Sequence, residues 1–173
     1  VRTDTTLLQS SGSIGGSPLE PAHLTARASL HAGAEEPKPD LNAFLQRITL
    51  LGDKLGVVGM QFPASFHRRQ EERLRAFLPL LPAEIRFAVE FRSASWDHPE
   101  TFALLREANI AWCTTHWQDL PPVVELTTDF AYFRLVGFHD EFTRLDEVRH
   151  DRTTELEHWA AVIRELTPRV NRI

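Results

Sequence analysis

The sequence predicts an α/β fold, a partial TIM (β/α) barrel in which parallel strands alternate with helices. From residue 40 onward, short apolar runs of strand length alternate with segments whose apolar residues recur at helical spacing. Strands separated by helices are joined by right-handed parallel crossovers. An open doubly wound sheet also fits this pattern. The barrel is favoured because Gly52, Gly56 and Gly59 match neither the dinucleotide-binding nor the P-loop spacing.

Composition indicates one domain preceded by a tail. The chain has 173 residues, of which 42% are hydrophobic and 25% charged, as in ordinary globular proteins. Residues 1–22 contain the low-complexity runs Ser10–Ser13 and Gly15–Pro18, so we expect a disordered tail there and a partial barrel domain over residues 23–173. Cys113 is the only cysteine, which excludes an internal disulfide and a zinc site built on several cysteines.

Five strands are predicted from their apolar character. A weak alternation over His23–His31 suggests a degraded first strand. The runs Val57–Phe62, Arg86–Phe91, Ile110–Thr115 and Phe130–Leu135 are more apolar, as expected for a parallel sheet covered by helices on its outer face.

Four helices are predicted between and after these strands. The first begins at Asp40 and ends near Gly56, and the second is marked by Leu74, Phe77, Leu78 and Leu81. A third helix opens at Asp97 or His98, with Pro99 in its first turn, and continues through Ala108. The apolar residues of the last helix are Leu156, Trp159, Ala160, Ile163 and Leu166.

Polar residues fall at the carboxyl ends of the predicted strands, where parallel α/β folds bind their ligands. Glu90 and Arg92 lie two residues apart and therefore point to the same side of their strand. If the strands are adjacent and parallel, all these side chains converge on one rim. The residues concerned are Gln61, Glu90, Arg92, Thr114, Thr115, His116 and Arg134.

Glu90, Arg92 and Arg134 are the candidate catalytic residues of this rim. Two guanidiniums favour the ionised form of one carboxylate, which suits Glu90 to orienting a ligand or holding an arginine better than to acting as a general base. Because Arg134 lies in a predicted buried strand, its charge needs an anionic partner. Its planar guanidinium matches the oxygens of a carboxylate or phosphate. The alternative is a purely structural ion pair at the end of the sheet.

Gln61, Trp96, Thr115 and His116 are candidate ligand-binding residues. Each also has a structural alternative: Gln61 can bond the backbone of the turn before Pro63, Trp96 can cap the top of the barrel, and His116 can be an exposed loop residue. No pair of histidines shows the spacing of a zinc helix motif, and no serine elbow motif is present, so neither a metal site nor a cofactor is predicted.

Several of these segments together resemble the YecE-like family, domain of unknown function 72. The resemblance lies in Leu51–Gly56 leading into Met60–Phe66, in Val89–Arg92 with Ser95-Trp96, and in Tyr132–Leu135 with Gly137. It covers about Leu24 to Arg169 and implies a TIM-barrel-like fold without an established activity.

The chain departs from the family pattern in four places. It lacks the family's usual first strand and its usual last strand, so the resemblance implies the central and later portion of a barrel that normally has about 250 residues. Ser93-Ala94 replaces a His-Pro pair, and Val136 replaces a histidine before Gly137. The loss of two histidines puts any inherited catalysis in doubt.

Three functions fit the sequence. The first is a metal-independent site for a small anionic or sugar-like ligand at the strand ends. The second is a metal-dependent TIM-barrel hydrolase or isomerase with Glu90 and His116 as ligands, and the third is a non-enzymatic remnant or interaction module.

Composition also limits the partners and the location of the protein. The net charge of −5 argues against a nucleic-acid partner, and no apolar run reaches the roughly 18 to 20 residues that a membrane span needs. We expect a cytoplasmic protein that self-associates through open sheet edges.

Overall fold

The computed structural model describes the backbone of residues 2–4, 24–29, 38–117, 120–136 and 151–173, with side chains from residue 41 onward. Between residues 24 and 116, strands and helices alternate as predicted, and the last strand follows without a helix before it in the described residues. The strands are β1 (Arg2–Asp4), β2 (Leu24–Ser29), β3 (Val57–Phe62), β4 (Arg86–Phe91), β5 (Ala111–His116) and β6 (Tyr132–Leu135). The helices are α1 (Lys38–Ile48), α2 (Glu71–Phe77), α3 (Pro99–Glu107) and α4 (Thr153–Leu166).

The strands form one sheet in chain order, from β1 to β6. Strand β1 is antiparallel to β2, and the four following pairings, from β2–β3 to β5–β6, are all parallel. A doubly wound sheet reverses its strand order at a switch point, whereas this sheet proceeds in one direction and curls into a half-barrel. The predicted partial barrel is therefore confirmed.

The main hydrophobic core lies between the convex face of the sheet and helices α1 to α3. Its centre is a series of stacked aromatic rings, in which Phe91 lies 4.5 Å from Trp96 and 5.5 Å from Phe62 between ring centroids. Phe66 stacks on both Phe62 and Trp96. Each such pair adds about 0.5–1.5 kcal/mol beyond the burial of apolar surface, so this stack fixes the ends of β3 and β4 against each other.

Strands β3 and β4 have the predicted bounds, while the helices differ in extent. Helix α1 ends at Ile48 and is followed by a 3-10 segment, Thr49–Lys54, which is kinked at Gly52, where φ is 51° and outside the helical region. Strand β6 begins two residues later than predicted. Phe130 instead forms a parallel bridge with Arg172, which follows α4.

Only part of the predicted tail and of the start of the predicted domain lies within the described residues. Apart from Arg2–Asp4, the residues of the predicted tail lie outside the described residues, and β2 begins one residue after the predicted start of the domain. Among the helices in the described ranges, none is long and apolar enough to cross a membrane.

Candidate functional site

The concave face of the sheet carries the polar cluster that the sequence places at the strand ends. Because strand residues alternate between faces, Val57, Ala88 and Ala111 form a small apolar floor with Phe130 at the start of the strands. Further along the same face, a small cavity has room for about one water molecule, with about 10 Å³ in which the centre of a water can lie. It is lined by Gly59, Met60, Gln61, Ala88, Glu90, Cys113, Tyr132 and Arg134.

Glu90 is the centre of this cluster and is only 4% exposed. Gln61 lies directly opposite it in the β3–β4 register and donates a hydrogen bond from Nε2 to Oε1, at 2.8 Å. Arg134 donates from Nη1 to the other oxygen, Oε2. Both carboxylate oxygens are therefore engaged, one by a donor from the adjacent strand β3 and the other by a donor from β6, two strands away, as a buried charge requires.

Arg92 makes the second ionic contact with Glu90. Its Nε lies 2.6 Å from Oε1, but the N–H is not aimed at that oxygen, and Nε has no hydrogen-bond partner in the described part of the chain. The guanidinium lies over the ring of Trp117, 4.1 Å from the ring centroid. Such a cation–π contact is worth about 0.5–2 kcal/mol, depending on desolvation, and helps to hold the guanidinium in one position.

The cluster of Gln61, Glu90, Arg92 and Arg134, which we call the concave cluster, carries two guanidinium charges against one carboxylate charge. The side chains of Arg92 and Arg134 are 13% and 27% exposed, while that of Glu90 is 5% exposed. The negative charge is thus buried beneath two cations that remain within reach of solvent. Within the described ranges, the concave cluster thus carries an excess of one positive charge on its partly exposed side.

Cys113 and Thr115 lie beside the concave cluster on β5. The Cys113 thiol is 3.3 Å from Thr115 Oγ1, and Thr115 is opposite Arg134 in the β5–β6 register. Burial raises the pKa of Cys113 to about 12, while the hydrogen bond to Thr115 acts in the opposite direction. Cys113 is therefore a neutral thiol near pH 7, and it packs as a small buried hydrophobic residue.

Two candidate ligand-binding residues lie on the other face of the sheet. Trp96 is fully buried in the aromatic stack and donates a hydrogen bond from Nε1 to the Phe66 carbonyl, at 2.6 Å. His116 contacts helix α4: its Nδ1 lies 3.1 Å from Trp159 Nε1 and 2.8 Å from Glu155 Oε1. The structure therefore brings neither Trp96 nor His116 to the concave cluster.

Strand alternation explains this division and was available in the sequence. His116 follows Thr115 by one residue, so the two side chains point to opposite faces. The prediction grouped residues by the strand end they follow and not by face. Tyr132 was not among the predicted site residues, although its place in the lining of the cavity follows from the same alternation, as does that of Trp117 beside Arg92.

Metal ligation is not supported by the arrangement of the described residues. Within those ranges, no three His, Cys, Asp or Glu side chains are close enough together to hold a metal ion. Glu90 and His116, the ligands in the metal-dependent alternative, lie on opposite faces of the sheet. The concave cluster also presents cations around Glu90, which repel a metal ion.

A larger groove, of about 420 Å³, lies at the opposite end of the strands. Ile85 and Ile110, which precede β4 and β5, contribute to its walls together with Leu78 and Leu104. Most of its lining is apolar, and its charged residues, Arg75 and Glu107, stand on different helices. The groove lacks the convergent polar groups of the concave cluster, which is the stronger candidate site.

Comparisons with known proteins agree with this fold. A family model described as "Protein of unknown function DUF72" matches residues 21–173. A DUF72 family protein from Thermotoga maritima MSB8 superposes with a TM-score of 0.64 at 30% sequence identity, covering 80% of this chain and 57% of that one. A DUF72 family protein from Enterococcus faecalis V583 gives a TM-score of 0.64 at 17% identity, covering 79% and 60%. The chain thus spans less than two thirds of either structure. A search of curated proteins found no match.

Proposed function

This chain belongs to the DUF72 family of proteins of unknown function, and on that premise we propose that its concave cluster binds a small anionic ligand. Arg92 and Arg134 bind the anion, while Glu90 and Gln61 hold the two guanidiniums in place. The observation that carries this proposal is the excess of one positive charge at the carboxyl end of the parallel strands, with both cations partly exposed above a buried carboxylate.

The chemistry of arginine supports an anion as the ligand. A guanidinium presents five N–H donors in a planar fork that matches carboxylate and phosphate oxygens. Glu90 accepts from Arg134 Nη1, and the Nε–H of Arg92 is not aimed at it. Among the described residues, the terminal N–H groups of Arg92 and the other N–H groups of Arg134 therefore remain for a ligand. A carboxylated or phosphorylated small molecule, including a sugar phosphate, fits this set of donors.

The geometry also supports a binding role over a role for Glu90 in proton transfer. Glu90 receives hydrogen bonds from Gln61 and Arg134 and an ionic contact from Arg92, so its oxygens are already occupied. A carboxylate surrounded in this way fixes the cations around it. No reaction is assigned to the site.

A thermal-shift series tests the proposal. The full chain is melted with inorganic phosphate, citrate, glucose 6-phosphate and glucose, at constant ionic strength. We expect one or more of the anions to raise the Tm in a saturable manner and glucose to leave it unchanged. Arg134→Gln is expected to abolish the shift. Arg106→Gln, which removes an arginine paired with Glu125 on the exposed surface, is the matched control and should keep it.

The non-enzymatic alternative predicts a different outcome of the same thermal-shift series. The remnant alternative treats Glu90, Arg92 and Arg134 as a structural ion network only. Under it, no anion shifts the Tm, while Glu90→Gln still destabilises the chain, on the order of 3 kcal/mol, because two partly buried cations lose their counter-charge. That combination would contradict anion binding.

The remaining expectations about partners and location stay predictions. The chain is expected to self-associate through its sheet edges, to bind neither nucleic acid nor membranes, and to work in the cytoplasm. Anion binding is independent of them, because it rests only on the concave cluster.

A further inference from the structure

A second polar cluster lies on the loops that follow β3 and β4. His67 stands five residues after the end of β3, and Ser93 two residues after the end of β4. Ser93 Oγ is 3.0 Å from His67 Nδ1 and 2.9 Å from Ser95 Oγ. The backbone N–H of Arg68 donates to Ser95 Oγ at 3.0 Å. We call these groups the hydroxyl chain.

The two ends of the hydroxyl chain give it a direction. A backbone N–H can only donate, so Arg68 makes Ser95 Oγ an acceptor. In the tautomer whose Nδ1 carries no proton, Ser93 Oγ donates to His67 Nδ1, and Ser95 Oγ is then free to donate to Ser93 Oγ. All three hydrogen bonds then run the same way. The Ser93 proton points at the lone pair of an imidazole, which is the relation between a nucleophile and its base.

The backbone around this pair is held in place. His67 N donates to Gln70 Oε1 at 3.0 Å, and Trp96 N donates to the Ser93 carbonyl at 3.2 Å. Beneath them, the buried ring of Phe66 stacks on Trp96, with 5.0 Å between ring centroids. Both loops are thereby fixed to the aromatic core, and the separation of Ser93 from His67 does not depend on free loop conformations.

The pair is also accessible. His67 and Ser93 are half-buried, and Ser95 is exposed. Ser93 follows Arg92 directly, and the backbone at Ser93 is extended, so the two side chains point to different sides of the chain. The hydroxyl chain is therefore separate from the concave cluster, and its chemistry does not depend on anion binding there.

We propose that Ser93 is a nucleophile, activated by His67, that accepts acyl groups from esters. The separation of 3.0 Å between Ser93 Oγ and His67 Nδ1 is within the range expected for a nucleophile and its base. Ser95 and the Arg68 N–H are positioning groups, because they contact the Ser93 hydroxyl directly or through Ser95 and do not touch the acyl group.

The reaction has two balanced stages. Ser93 Oγ attacks the ester carbonyl carbon and gives its proton to His67 Nδ1. The bond from that carbon to the leaving oxygen breaks, and the leaving alcohol takes the proton from His67. Water then attacks the acyl carbon and gives a proton to His67, Ser93 Oγ leaves with that proton, and a carboxylic acid is released.

Acylation with p-nitrophenyl acetate tests the proposal on the full chain. We expect a burst of p-nitrophenolate, and mass spectrometry of the quenched protein should place the acetyl group on the peptide that contains Ser93. Ser93→Ala should remove the burst. His67→Ala should slow it on the order of 100-fold, and free imidazole should restore part of the rate. The control Ser65→Ala changes an exposed serine of the same β3–α2 loop and should keep the burst.

The location of the acetyl group keeps the test decisive if a variant is poorly folded. If the acetyl group is found on Ser93 of the wild-type chain, the proposal is supported without any variant. An acetyl group only on other residues, or none at all, overturns it. The same conclusion follows if Ser93→Ala, with an unchanged circular dichroism spectrum, gives the full burst.

Discussion

At the scale of single residues, two different rules decide which side chains meet. The sequence predicts that Gln61, Glu90, Arg92 and Arg134 converge, and the structure brings them together, because neighbouring parallel strands bring equivalent positions to one edge. The second rule, alternation between faces, removes His116 from that group, although it ends a neighbouring strand. A charged residue at a strand end therefore predicts a member of the site only if its side chain lies on the same face of the sheet as the others.

The loops after the strands obey neither rule. The contact between His67 and Ser93 joins residues 26 positions apart on two loops whose course depends on the aromatic stack beneath them. No spacing in the sequence marks such a pair. The structure was needed because a loop has no fixed period from which the direction of a side chain can be calculated.

Cys113 gives a prediction at this scale. Because burial raises the pKa of its thiol to about 12, almost none of the thiolate, the nucleophilic form, is present at pH 8. We expect iodoacetamide at pH 8 to leave the native chain unmodified and to alkylate it rapidly in urea, as measured by intact mass. Since Cys113 is the only cysteine, each alkylated chain reports on this residue. Equal rates in the two conditions would contradict the buried position.

At the scale of elements, helix α4 is attached to the sheet at β5 and β6. Trp159, which is 2% exposed, lies between His116 and Phe133, with ring centroids 5.6 Å and 5.8 Å away. The helical spacing of apolar residues predicted α4 and its buried tryptophan. It could not predict that the indole N–H meets a histidine, since that contact depends on which face of β5 the helix covers.

A pH dependence arises from Glu155 in the first turn of α4. The Arg152 guanidinium, which donates to both of its oxygens, lowers the pKa of Glu155 below the usual 4.5, and His116 acts in the same direction. A carboxyl group with a lower pKa in the folded state stabilises the fold above its unfolded pKa and loses that contribution as the pH falls through the folded value. The contribution of Glu155 is therefore complete above about pH 4.5 and lost below it.

Urea unfolding of wild type and Glu155→Gln between pH 3 and pH 7 measures this contribution. We expect the difference in the free energy of unfolding to be constant above about pH 4.5 and to shrink as the pH falls below it. Glu157→Gln, on the same helix, is the control and should show no comparable change. A difference that stays constant down to pH 3 would show that Glu155 does not contribute through its charge.

At the scale of the whole molecule, the order of the strands confirms the fold prediction. Alternation of strands and helices is common to barrels and doubly wound sheets, so the sequence pattern alone left both open. The missing phosphate-loop glycines favoured the barrel, and the unreversed strand order confirms it. The match to the DUF72 family over residues 21–173 agrees, and this chain covers 57–60% of the related structures.

An incompletely closed sheet leads to the last prediction, which concerns the edge formed by β6. Val136 N donates to the His116 carbonyl, so in this parallel ladder the N–H of Leu135 points away from β5. In the part of the chain that the structure describes, only the bridge between Phe130 and Arg172 pairs with that side. An open strand edge is a template for pairing with another chain.

We therefore expect the chain to self-associate through β6, with a mass above 19.7 kDa that rises with concentration in size-exclusion chromatography with light scattering. Leu135→Pro removes the outward N–H without removing a hydrogen bond of the β5–β6 ladder, so it should shift the distribution toward the monomer. Leu135→Ala keeps the N–H and should associate like wild type. A cooperatively melting monomer of 19.7 kDa at every concentration would contradict this prediction, since it would mean that the edge is already covered within one chain.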